Sequence, residues 1–260
     1  MLQTRKDFFG RTHNRAEVLE RTAFSKKGVP VLDQIGDVFR GFRELGIEPM
    51  LIGGTACMLQ SDPRYKKNLT GAHPTDVDMV VDKIPEGVRR NIIERRIIGR
   101  QRVEYSGSKV TETLSELDYK VYTLDDRKFP ALSKVDLFVG GVCETVIKPE
   151  DFDRSEKFTL SGNSYGSLDI VVADPGLLLA TMIDPQSATQ KRLKRAAYVI
   201  VSNGDDASEI GTRYAKIMKR GQVVDMRSFE HIFSQLVRFA KTLKESVVTF
   251  AESAQKELLS

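Results

Sequence analysis

Cysteine and histidine are scarce in this chain, with two and three copies among 260 residues. Cys57 and Cys143 make neither a disulfide framework nor a zinc quartet, and His13, His73 and His231 are widely scattered. A reducing, cytoplasmic setting is the expectation. Long apolar runs are missing too: no stretch approaches 18 apolar residues, and the opening Met-Leu-Gln-Thr-Arg-Lys-Asp lacks the apolar core of an export signal. Neither a membrane span nor a leader is therefore expected. Gly-rich phosphate-loop motifs and Gly-x-Ser-x-Gly do not occur, which removes support for P-loop and serine-hydrolase chemistry. A strong excess of one charge is absent as well. The 40 basic and 36 acidic residues leave +4, too little by itself to diagnose a nucleic-acid binder.

What remains is an ordinary globular composition, 40% hydrophobic and 29% charged, long enough for one large domain or two small ones. The basic excess is local: residues 1–28 hold seven Lys/Arg against three acids, and 191–220 hold eight against three. Composition and pattern divide the chain into a basic arm (1–30), a mixed region of strands and helices (31–173) and a helical region (174–260).

The stretch from Met50 to Val81 organises the rest. Met50-Leu51-Ile52 is a short apolar run, and Gly53-Gly54 break it just before a breaker-free helical segment from Thr55. Such a turn lets a phosphate approach the backbone, and the helix that follows offers unpaired N–H groups and the positive end of its dipole. Thr55 adds a hydroxyl. Further on, Asp76 and Asp78 open an apolar strand, where residues two apart share one face. Two carboxylates on one face suit Mg²⁺ (or Mn²⁺), which takes one or two protein carboxylates together with substrate phosphates. Lys134 to Val139 reads as another strand, with Asp136 opposite the face of Val135, Leu137 and Val139. A third carboxylate can complete a two-metal site and take a proton from an attacking hydroxyl.

Gly53-Gly54 after an apolar strand, the Asp76/Asp78 pair and the later strand aspartate Asp136 together resemble the nucleotidyltransferase superfamily. The likeness covers roughly residues 31 to 183 and is closest to AbiEii-like toxin transferases and the small aminoglycoside nucleotidyltransferases. Thr70, His73 and Thr75 provide a similar approach to the aspartates. The resemblance implies an α+β fold with a mixed sheet and a helical C-terminal domain. It also implies metal-dependent transfer of a nucleoside monophosphate from an NTP to a hydroxyl, in a cytoplasmic, toxin-type or drug-modifying setting. The interval from the glycines to Asp76 is longer than the family's, so either 61–73 is an inserted loop or the phosphate grip lies elsewhere. A catalytically degenerate transferase fold acting as an RNA- or protein-binding module, and an Asp-x-Asp metal-dependent glycosyltransferase, stay open as alternatives. The second of these has no need of Gly53-Gly54 or Asp136.

Cations that could meet the phosphates are Arg64, Lys66 and Lys67 in the loop before Asp76, and Lys191, Arg192, Lys194 and Arg195 in the helical region. The flanking basic segments favour RNA as acceptor over protein or an aminoglycoside-like small molecule, since no acidic cluster beyond the catalytic carboxylates stands out to receive an amine-rich compound. Cys57 reads as a small buried packing residue rather than a reactive thiol.

The remaining elements follow from periodicity. A helix is expected from Val31 to Leu45 with Gly46 as its cap, another from Pro85 through Ile97, and a helical piece near 16–22. Strands are expected at 102–105, 117–123, 144–148, 157–161 and 168–172. After Asp174-Pro175 the pattern is helical throughout, ending in one long run from about Met226 to Leu259. Phe229, Leu236, Leu243 and Phe250, with Phe233, Ala240, Val247 and Ala254, form its stripe, which is broad enough for globular packing rather than a dimer seam. Monomer and homodimer both remain possible.

Overall fold

The computed structural model describes residues 4–6, 12–14, 31–44, 46–62, 76–81, 93–98, 101–104, 120–124, 134–142, 145–162, 166–183, 188–220, 226–240 and 244–260. It is an α+β arrangement, a mixed sheet followed by helices. A short antiparallel pair, β1 (Thr4–Lys6) and β2 (Thr12–Asn14), stands apart near the start. The basic arm expected over 1–30 thus contains a strand pair, and the helical piece expected near 16–22 lies outside the described residues.

Helix α1 (Val31–Glu44) ends as its sequence requires. The Gly46 N–H donates to Arg43 O and the Ile47 N–H to Phe42 O, with Gly46 at φ +74°. This is the Schellman arrangement, which needs a left-handed residue and so favours glycine. Ile35, Val38, Phe39 and Phe42 recur at helical spacing and are all buried, and the face they form covers the outer strands β11 (Glu156–Gly162) and β12 (Gly166–Val172).

The main sheet has eight strands in the order β11-β12-β3-β4-β8-β7-β5-β6. Here β3 is Met50–Ile52, β4 Asp76–Val81, β5 Ile93–Ile98, β6 Gln101–Glu104, β7 Lys120–Leu124 and β8 Lys134–Val139. The centre mixes directions: β3 runs parallel to β12 and antiparallel to β4, and β4 runs parallel to β8. Parallel neighbours need long connections, and the chain between β4 and β8 supplies the antiparallel β5-β6-β7 group. Here the structure corrects the sequence reading. The helix expected from Pro85 through Ile97 is not formed over 93–98, which is strand. Ile93, Ile97 and Ile98 are β-branched, and pairing to both β6 and β7 overrides the weak helical spacing. Residues 85–92 lie outside the described part.

Helix α2 (Gly53–Gln60) springs directly from β3. Two short strands, β9 (Gly141–Val142) and β10 (Thr145–Val146), and the five-residue helix α3 (Pro149–Asp153) then lead into β11. Beyond β12 every described element is helical: α4 (Pro175–Met182), α5 (Gln190–Ser202), a 3-10 turn (Gly204–Asp206), α6 (Ala207–Met218), α7 (Met226–Ala240) and α8 (Lys244–Leu259). The expected single run from 226 to 259 is thus two helices.

Its apolar stripe is buried within the chain: Phe229, Phe233, Leu236, Ala240, Val247, Phe250 and Ala254 all face the core. The rings of Tyr214, Phe229, Phe233 and Phe250 meet edge-on or tilted, for example at 5.4 Å between Tyr214 and Phe250. One continuous apolar cluster joins sheet and helices. No described helix is long and apolar enough to cross a membrane.

Buried ions tie this junction. Asp151 of α3 is fully buried and accepts from Arg213 Nη2 of α6 at 2.8 Å and from Arg220 Nη1 at 2.7 Å. Arg213 Nη2 also donates to Asp174, the residue capping α4, at 3.1 Å. Burial pulls the Arg213 guanidinium downward, but Asp174 and Asp151 together carry it above its ordinary value.

Candidate functional site

The sheet register brings the strand aspartates together. In the parallel pair β4/β8, Asp76 stands opposite Lys134 and Asp78 opposite Asp136. Paired positions on adjacent strands lie about 5 Å apart and project to the same face. Alternation along β4 therefore does what the sequence implied, leaving Val77 and Met79 fully buried on the other face. Asp78 is half-buried and Asp136 is only 1% exposed. Among the described side chains no group of three or more His, Cys, Asp or Glu gathers into a metal site; the carboxylates described here are those of Asp78 and Asp136.

The glycine turn lies against this pair. Ile52, the last residue of β3, is opposite Asp78 in the antiparallel register, so Gly53 follows just past it. Gly53 has φ +68°, and a Cβ built there would fall on the Asp78 carboxylate. Both facts require glycine. Gly54 is needed for a different reason. A Cβ there would lie 2.6 Å from Arg195 Nη1, because the Arg195 guanidinium, reaching from α5, rests on that glycine.

The start of α2 is electrostatically unusual. Ile52, its N-cap residue, offers no side-chain cap, and its first turn holds no acid. By contrast Asp174 caps α4 through Leu177 N, and Thr189 caps α5 through Arg192 N. At α2 the helix's positive end meets a second positive group, the half-buried Arg195, for which no hydrogen bond or ion pair is found among the described residues. Two positive features thus meet at one glycine turn, with the Asp78 carboxylate on its other side, an arrangement suited to receiving an anion.

The neighbouring crossing acts as a control within the same molecule. Arg213 also packs on a glycine at a helix start, Gly176 of α4, but through its Cβ and Cγ rather than its guanidinium, and its charge is neutralised by Asp151 and Asp174. Packing an arginine over a helix start is thus compatible with a purely structural role when carboxylates are supplied. At Arg195 no ion pair is found among the described residues, and the nearest carboxylate on the turn is that of Asp78, against Gly53.

The other sequence-derived residues fall as follows. Thr55 is fully buried in the first turn of α2. Lys191 is exposed, and Arg192 and Lys194 are half-buried, in the first turns of α5; only Arg195 of that group touches the glycine turn. Arg64, Lys66, Lys67, Thr70, His73 and Thr75 lie outside the described residues. Cys57 is fully buried on α2, its Sγ beside Met182 Sδ. Burial pushes its thiol up to about 12, against the opposing pull of Arg195, so it is inert as a nucleophile at neutral pH.

The sequence showed no acidic cluster away from Asp76, Asp78 and Asp136, and here the fold differs. An open groove of about 420 Å³ is lined by Arg154, Glu156, Asp174, Asp206, Glu209 and Arg213, among others. Its acids come from three separate stretches, which is why no local pattern announced it.

No family model matches this chain, and no curated protein matches it.

The two glycines are expected to respond differently to substitution. Gly53→Ala must adopt left-handed backbone and displace a carboxylate, lowering stability by about 1–3 kcal/mol. Gly54→Ala meets only the mobile end of an arginine and should cost less than about 1 kcal/mol. Gly54→Val, which displaces Arg195 further, should nonetheless weaken triphosphate binding more than tenfold or so. Urea melts combined with tripolyphosphate titration would separate the two; equal stability losses would contradict the assignment.

Proposed function

We propose that this chain is a metal-dependent nucleotidyltransferase, transferring a nucleoside monophosphate from an NTP to an acceptor hydroxyl. The observation that carries the reading is the join at Gly53: one side touches Asp78, register-paired with Asp136, and the next residue seats the Arg195 guanidinium at the start of α2. Acidic and basic halves of a nucleotide site stand side by side.

The donor set suits the implied metal, because carboxylate oxygens are the ligands a hard divalent cation takes alongside phosphate. Asp76, Asp78 and Asp136 are the residues that would hold Mg²⁺ or Mn²⁺, whose charge would offset that of the phosphates. The chain's own contribution is then positional. The N–H groups of the Gly53-Gly54-Thr55 turn and the Arg195 guanidinium hold the β- and γ-phosphates. The acceptor oxygen attacks the α-phosphorus in line, the bond to the bridging oxygen breaks and pyrophosphate leaves. Asp136, shielded from water, is placed to take the hydroxyl proton.

RNA is the favoured acceptor. Lys191, Arg192 and Lys194 continue the positive charge of Arg195 along the first turns of α5, and polyanion affinity there should fall steeply with salt. A second reading rests on the acid-lined groove at the start of α4, which suits a cationic, aminoglycoside-like acceptor. Incubation with each labelled NTP, Mg²⁺ and total RNA, total protein or an aminoglycoside distinguishes them. Label on RNA is expected, with binding weakened by salt and the salt dependence flattened in a Lys191/Arg192/Lys194→Ala variant. Absence of label from every acceptor class would overturn the reading.

A further inference from the structure

Helices α2 and α5 are joined at both ends, and only one end belongs to the anion site. At the carboxyl end, Asn203 Nδ2 donates to Gln60 O at 3.0 Å and to Val199 O at 2.6 Å, bridging the last carbonyls of the two helices. Beside it, Asp62 N donates to Ser202 Oγ at 2.7 Å, and that hydroxyl donates to Tyr198 O at 2.6 Å. At the amino end Arg195 rests on Gly54. From Gly54 to Gln60 is six residues and from Arg195 to Asn203 is eight, so the helices run side by side in the same direction over about 9–12 Å.

Asn203 is 2% exposed, and its Oδ1 has no hydrogen-bond partner. The side chain therefore acts through its amide nitrogen, which is committed to two buried carbonyls. A packed helix pair slides in steps rather than continuously. Apolar residues of both helices belong to one core cluster, and the polar clamp is the directional tie between them at this end.

We propose that Asn203 is a positioning residue for the anion site: by pinning the carboxyl ends of α2 and α5 together it sets where Arg195 sits over Gly54. This rests on the reading of Arg195 as a phosphate contact. The clamp also holds Asp62, just beyond α2, through its N–H to Ser202 Oγ.

A double-mutant cycle tests this with tripolyphosphate and with Mg²⁺-NTP as the probes, by calorimetry. Asn203→Ala should weaken binding about tenfold in the wild-type background and less than about twofold when Arg195 is already Ala, since the loss is transmitted through that guanidinium. Ser202→Ala, which removes one bond of the clamp without opening a large space, should show the same dependence on Arg195 with a smaller loss, and serves if Asn203→Ala does not fold. Melting temperatures should fall equally in both backgrounds, which separates register from stability. Equal loss of affinity with and without Arg195 would overturn the positioning role and leave the nucleotide site standing. A wild-type protein with no affinity for either probe would overturn both.

Discussion

Asp136→Asn should leave the protein folded, raise its melting temperature in the absence of divalent ions, and cut nucleotidyl transfer by about 10³-fold or more. The two effects share one cause. Asp136 is almost wholly buried and stands directly opposite Asp78 across a parallel pair. Like charges at paired strand positions oppose folding, and replacing one carboxylate by the amide of the same shape removes that repulsion. A chain selected for stability alone would not place both there. Such a trade of stability for function is expected where charge is held ready for a ligand. For a chain of this size each kcal/mol recovered shifts the melting temperature by about 2–4 °C. Mg²⁺ should in turn stabilise the wild type and leave the variant unchanged, by linkage of binding to folding. Asp78→Asn should lose activity similarly. Thermal melts with and without Mg²⁺, alongside turnover, check this; a variant that is less stable and still active would show that Asp136 is structural.

The largest loss of stability should come from Arg213→Ala, about 3–5 kcal/mol, because it strands buried carboxylates rather than merely removing a contact. Asp151 has no exposure and would keep Arg220 and the Lys148 N–H, both on Oδ2, while Oδ1 and Asp174 would each lose Arg213. By contrast Arg40→Ala, which breaks the exposed pair with Asp37 on α1, should cost about 0–1 kcal/mol. Replacing Arg213 and Asp174 together should cost less than the sum of the two single changes, since they share one network. Denaturant unfolding of the four variants measures this; a loss for Arg213→Ala no larger than for Arg40→Ala would mean the network contributes little.

Much of the acidic half of the site was legible in sequence because strand alternation is a short-range rule. Asp76-Val77-Asp78-Met79 and Val135-Asp136-Leu137 declare their faces without reference to the rest of the chain. The glycine turn was legible for the same reason, as was the Gly46 cap. The seat of Arg195 was not. Lys191, Arg192, Lys194 and Arg195 look alike in sequence, and which of them reaches Gly54 depends on how α5 packs on α2, a contact between segments about 140 residues apart. The acid-lined groove was hidden for a similar reason, being assembled from 154–156, 174–176, 206–210 and Arg213. At 93–98 the sequence misled, because Ile spacing admits both helix and strand and only pairing decides. The break between α7 and α8 had no signal either, as Lys241-Thr242-Leu243 contains neither glycine nor proline.

The central claim is that Asp78/Asp136 and Gly54/Arg195 form one site for a metal-bound nucleoside triphosphate. Calorimetric titration with each NTP, with and without Mg²⁺, on the wild type and on Arg195→Ala, tests it most directly. The expected result is saturable binding to one site that weakens by about tenfold or more when Mg²⁺ is withheld, and again when Arg195 is removed. Absence of binding, or binding indifferent to both Mg²⁺ and Arg195, would contradict it.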